Sequence, residues 1–194
     1  MPISLLQTKF YAPPTRPNLV HRAQLIARFS AERVRPFTLV SAPAGFGKTT
    51  LVCAWLEELG NGSADVGVSE HPKSKTPNPA VAWLSLDEDD NDPSRFLTYL
   101  IAALQTHHPH VGENSLALLG APQAPSPKSI LTQVINDVST LAEPLILILD
   151  DYHLITAQSI HEALTFLLDH LPTNLRLVIT IRVDPPLPLS RWRV

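Results

Sequence analysis

The stretch PFTLVSAPAGFGKTTLVCAW, residues 36–55, constrains this chain more than any other. Phe37 to Val40 form a near-continuous apolar run, the mark of a strand covered on both faces in a parallel sheet. From Lys48 onward Leu51, Val52, Trp55, Leu56 and Leu59 recur at helical spacing. Between them, Ala42 to Gly47 can bend so that backbone N–H groups and a helix N-terminus converge on one point, where negative charge is favoured. The pattern is the phosphate-binding loop G-x-x-x-x-G-K-S/T, with Ala42 at the first glycine position. A methyl group fits there if the backbone keeps a negative φ. On a triphosphate, the backbone of Ala44, Gly45, Phe46 and Gly47 would cradle the phosphates and Lys48 would reach the β and γ phosphates as a point charge. Thr49 would place its hydroxyl on Mg²⁺, and Thr50 would donate to the α phosphate.

The rest of the chain alternates strands and helices, as a parallel sheet requires. Ala80 to Leu86 is the second expected strand, and Asp92 with Pro93 starts a helix that buries Phe96, Leu97, Leu100, Ile101 and Leu104. Ser126 and Pro127 start another helix, with Ile130, Leu131, Val134, Ile135, Val138 and Leu141 inward. Leu145 to Asp150 is the third strand, Thr156 caps a helix through His170, and Leu175 to Arg182 is the fourth strand. Gly60 to Pro79 and His107 to Pro125 read as loose surface loops. The fold class is therefore α/β: a P-loop three-layer sandwich around a mostly parallel sheet.

The third strand ends in Asp150 and Asp151, at the edge where open α/β sheets bind ligands. Asp150 would join Thr49 in the Mg²⁺ shell, and Asp151 would polarise the attacking water. Arg182, at the end of the fourth strand, could contact the γ phosphate and report its presence.

With 194 residues the chain can bury one substantial core, and its net charge of −3 does not mark it as a nucleic-acid binder. No stretch approaches a membrane span, and the N-terminus lacks a secretory signal, so a cytoplasmic protein is expected. The single cysteine, Cys53, falls in the helix after the loop and reads as core packing. DEDDND, residues 87–92, resembles the start of a calcium loop but has Asp92 where glycine is needed and Thr98 where the closing glutamate belongs. His107, His108 and His110 lack a nearby cysteine and read as a solvated loop rather than a zinc site.

In their order, TKFYAPPTRPNLVHRAQLIARF, SAPAGFGKTTLVCAW, WLSLDEDDNDPSRFLTYLIAAL, LILILDDYHLI and LRLVITIR resemble the N-terminus of the large ATP-dependent LuxR-type transcription regulators. These are maltose-regulon-activator-like signal-transduction ATPases with numerous domains. The resemblance implies an ATP- and ADP-binding switch with slow hydrolysis. It implies Lys48 and Thr49 in the phosphate loop, Asp150 and Asp151 as magnesium and catalytic acids, and Arg182 as the γ-phosphate sensor. Through Arg22, the segment Leu19 to Leu25 resembles the adenine-side motif, with His21 where glycine is common and Leu25 where an acid is common. Residues 1–35 would form that adenine-side segment and helix, and residues 36–194 the P-loop core. The resemblance also implies strand order 5-1-4-3-2 with the fifth strand absent, which leaves the first strand as an apolar edge open to self-association. DNA contact would fall to domains absent from this chain, the family's further parts being a winged helix, a helical-repeat sensor and a C-terminal helix-turn-helix. A free-standing P-loop enzyme such as a small kinase, and an inert remnant that binds no nucleotide, stay open as alternatives.

Overall fold

The computed structural model describes residues 4–14, 22–31, 35–60, 79–121 and 125–192. Four strands, β1 (Phe37–Ser41), β2 (Ala80–Ser85), β3 (Leu145–Asp150) and β4 (Leu175–Ile181), form one parallel sheet in the order β1-β4-β3-β2. Among the described residues six helices accompany them: α1 (Ala23–Ala31), α2 (Lys48–Gly60), α3 (Pro93–Gln105), α4 (Glu113–Leu119), α5 (Pro127–Ser139) and α6 (Gln158–Asp169).

The strands place alternate residues on opposite faces, so two cores form. Ala82, Leu84, Leu147, Leu149, Leu177 and Ile179 pack with α3, α5 and α6, whereas Trp83, Ile146, Ile148 and Val178 pack with α1 and α2. The connection from β1 to β2 crosses the sheet in one direction through α2, and the two later connections return in the other direction on the opposite face. Connections of a single hand require that arrangement. The result is the three-layer sandwich expected from the alternating pattern. Among the described residues β1 is an edge strand, half-buried where β3 and β4 are buried throughout.

Two local expectations change. The loose stretch after His107 contains α4, entered through Gly112, whose φ of 68° suits glycine. Gly112 N–H donates to Asp137 Oδ2 at 2.8 Å, and the Ser115 hydroxyl donates to Gln133, fixing this short helix on α5. The helix expected to start under a Thr156 cap has Ala157 at its N-cap, with no oxygen to offer. Asn91 Oδ1 substitutes by accepting from the N–H groups of Thr156 and Ala157 at 2.6 and 2.9 Å. Asp92 and Ser126 do cap α3 and α5 as read, each ahead of a proline in the first turn. The segment read as a loop at 60–79 lies outside the described residues from 61 to 78, as do residues 122–124 of the second loose stretch.

The acids of residues 87–92 serve structure. Asp87 and Asp90 form a capping box around the 3-10 turn Glu88–Asn91. Buried Asp90 pairs with buried Lys9 and with Arg95 Nε at 3.3 Å, and both cations lie over the Tyr99 ring. Residues 7–10 thereby dock beside β2, at the opposite end of the sheet from β1. No helix among the described residues is long and apolar enough to cross a membrane.

Candidate functional site

The loop Ala42–Gly47 leaves β1 at its C-terminal end, with Ala42 N–H donating to the Ile181 carbonyl at 3.2 Å. Gly45 and Gly47 take φ values of 80° and 75°, which a side chain would strain. Ala42 is not among the described residues with positive φ, so its methyl group is accommodated. Lys48 opens α2, is buried, and donates from Nζ to the Pro43 carbonyl at 3.2 Å. Thr50 is half-buried in the first turn of the same helix, and the loop's Phe46 is exposed.

The strand register brings the acids to this loop. Ile146 pairs with Arg176 and Ile148 with Val178, so the next step on the α2 face sets Asp150 beside Thr180. Thr180 donates its hydroxyl to Asp150 Oδ1 at 2.6 Å, and Thr49 Oγ1 donates to the same carboxylate at 3.0 Å. Burial pushes the Asp150 carboxyl above its ordinary range, and the Asp151 charge adds to this; the Thr180 and Thr49 hydroxyls oppose it. A threonine hydroxyl and a buried carboxylate are hard oxygen donors of the kind magnesium takes, and they already touch. The residues fit the ion.

Asp151 has φ 57°, the one described non-glycine residue with positive φ. Its N–H donates to Thr180 Oγ1 at 2.9 Å, and its side chain is 39% exposed. His153 follows in the 3-10 turn Tyr152–Leu154, with Nδ1 3.6 Å from Asp151 Oδ1. Burial, with the positive charges of Arg182 and Lys48, lowers the His153 imidazole below its ordinary value, while Asp151 pulls the other way. The ring is therefore neutral at neutral pH. Arg182 is exposed just beyond β4.

Thus Lys48, Thr49, Asp150, Asp151 and Arg182 meet at one end of the sheet. Arg22 is exposed at the start of α1, where its carbonyl accepts from Leu25 and Ile26, and residues 19–21 of its segment lie outside the described residues. Sequence reading missed Thr180, Asn91 and His153. Thr180 is a lone hydroxyl at the end of an apolar strand, in step with Asp150, and that was its available signal.

Residues 18–180 match the family described as the AAA ATPase domain. The chain is 40% identical over 190 residues to the HTH-type transcriptional regulator MalT of Serratia proteamaculans, covering 98% of this chain and 19% of that protein. The MalT of Yersinia enterocolitica is 37% identical over the same shares. This chain thus spans about a fifth of the length of the curated relatives it matches. Among solved structures, Cdc6p of Pyrobaculum aerophilum superposes with a TM-score of 0.54 at 16% identity, covering 96% of this chain and 46% of that one. A Walker-type ATPase of Pyrococcus abyssi gives 0.51 at 16% identity, covering 86% and 46%.

Proposed function

Since this chain belongs to the AAA ATPase domain family, we propose that it binds ATP and ADP with Mg²⁺ and works as the nucleotide switch of a larger MalT-like, LuxR-type transcription regulator. The contact between Thr49 and Asp150 supports this reading above all, because it joins the phosphate loop to the acid of a different strand. The 40% identity with a MalT supports the regulatory role, and the partial coverage of that protein supports a division of labour in which DNA is read by other parts of the regulator. A cytoplasmic location goes with that role.

The residues take the following parts. The amides of Ala44 to Gly47 and the N-terminus of α2 hold the phosphates, with Lys48 on the β and γ groups and Thr50 on the α phosphate. Thr49 and Asp150 would hold Mg²⁺, which would supply neutralisation of the phosphate charge. Asp151 polarises the attacking water, Arg182 senses the γ phosphate, and Arg22 faces the adenine side. Hydrolysis is slow, because the nucleotide state is the signal and fast turnover would erase it.

A thermal melt with added ligand tests this. ADP or ATP at a hundred times its Kd should stabilise the fold by about 2.7 kcal/mol, a rise in Tm of roughly 5–10 °C for a chain of this size. Thr49→Ala should remove the Mg²⁺-dependent part of the rise for ATP. A wild-type melt indifferent to both nucleotides would refute the switch and favour an inert remnant.

A further inference from the structure

The imidazole of His153 has no role in the site as described so far, yet it stands inside it. Its side chain is 13% exposed, and neither ring nitrogen, both shielded from solvent, has a hydrogen-bond partner in the protein. The Asp151 carboxylate lies 3.6 Å from Nδ1, too far for a direct hydrogen bond. The charges that act on the ring are those of the site: Lys48 from the phosphate loop, Arg182 from the end of β4, and Asp151 from its own turn.

The turn is held from both sides. Tyr152 is buried and shares a 2.7 Å hydrogen bond with His161 on α6, and the Leu154 carbonyl accepts from Asn91 Nδ2 at 2.9 Å. Leu154 and Ile155 N–H groups close the turn onto Asp151 and Tyr152. A ring fixed this firmly, with both nitrogens buried and unpaired, suits a ligand better than packing, for which an aliphatic side chain serves without stranding polar atoms.

We infer that His153, with Asp151, contacts the water that attacks the γ phosphate. This rests on the nucleotide-switch reading. A neutral imidazole offers one acceptor and one donor in either tautomer. Nδ1 accepts a hydrogen bond from one O–H of the water and the Asp151 carboxylate accepts one from the other, which leaves the water's lone pair free for phosphorus. The water oxygen forms the new bond to the γ phosphorus, and the bond to the β–γ bridging oxygen breaks with its electron pair leaving on ADP. The proton shed by the water passes to Asp151 and then to solvent. His153 is thereby a contact of the attacking water and the transition state, with no part in holding ADP.

The test compares the full 194-residue chain with its His153→Ala and His153→Gln variants. Titrations use ADP and, separately, ADP with Mg²⁺ and aluminium fluoride, and single-turnover ATP hydrolysis is followed alongside. In His153→Ala, ADP affinity should stay within about twofold of wild type, while aluminium-fluoride complex affinity and hydrolysis rate should each fall about 10²-fold. His153→Gln, which keeps a donor and an acceptor, should recover about tenfold of that loss. Equal losses for ADP and for the aluminium-fluoride complex in both variants, or no loss in either, would overturn the inference. If His153→Ala does not fold, His153→Gln decides alone: unchanged ADP affinity with a drop of about tenfold in aluminium-fluoride binding upholds it, and no drop overturns it. A folded wild type that fails to bind ADP would overturn the nucleotide reading itself.

Discussion

Thr180 stands in register beside Asp150, and its hydroxyl donates to Asp150 Oδ1 at 2.6 Å while accepting the N–H of Asp151 at 2.9 Å. One side chain thus orients the two acids of the site. Thr180→Val keeps the shape and removes the hydroxyl, leaving the Asp151 N–H unpaired. The expected cost is about 1–3 kcal/mol of stability, read by urea unfolding, together with weaker Mg²⁺-ATP binding. Thr180→Ser should restore both. A valine variant as stable as wild type would contradict this.

Burial raises the pKa of Asp150, with the Asp151 charge adding to it and the Thr180 and Thr49 hydroxyls opposing it. A raised carboxyl pKa means that ionisation costs folding stability at any pH above the unfolded value, and that the cost disappears once the group is protonated. Asp150→Asn keeps an oxygen for Thr49 and Thr180 and removes the charge. It should melt at a higher temperature than wild type at pH 7 without Mg²⁺, and its nucleotide binding should ignore Mg²⁺. A lower Tm would show that the charge stabilises the fold.

How much of this was legible in the residues alone follows from where the constraints lie. The apolar strands, the helix starts at Asp92-Pro93 and Ser126-Pro127, and the phosphate loop are local patterns, and they stand where the sequence put them. The short helix α4 escaped because its residues are ordinary loop formers until Gly112 turns left-handed and Asp137, on another helix, binds its amide. Lys9, Asn91 and His153 gave no signal, since each acts on partners set by tertiary folding: Asp90, 81 positions from Lys9, and the turn after β3. Thr180 was readable only once β3 and β4 were known to be neighbours.

The Lys9 and Asp90 pair anchors the start of the chain beside β2 with both side chains buried. Lys9→Met leaves Asp90 to Arg95 alone, and the expected cost is about 3 kcal/mol, the low end for a broken buried pair, measured by urea unfolding. Lys9 also bears on acid stability. Burial alone would raise the Asp87 carboxyl, but its hydrogen bond to Lys9 and the Lys9 charge bring it below the ordinary value. A depressed carboxyl contributes stability that is present above its unfolded pKa of about 3.9 and is lost as pH falls through the folded value. Wild type should lose stability below about pH 4 more steeply than Lys9→Met, and parallel acid profiles would rule this out.

Among the described residues the sheet ends on β1, where Phe37, Thr38, Leu39 and Ser41 line a groove with Arg35, Asp184, Leu189 and Trp192. Half-buried, such an edge offers backbone groups to a second copy of the chain. Sedimentation over a wide range of concentration should show self-association, and Tm should depend on concentration. A sharp, concentration-independent monomeric melt would exclude it.

The claim on which all else depends is that this fold binds adenine nucleotide through Lys48 and its loop. Calorimetric titration of the purified chain with ADP, and with ATP plus Mg²⁺, should give saturable binding of both. Lys48→Ala, folded to the same degree by circular dichroism, should bind neither. A folded wild type that binds no nucleotide, or a Lys48→Ala variant that binds as tightly as wild type, would contradict the nucleotide-switch reading.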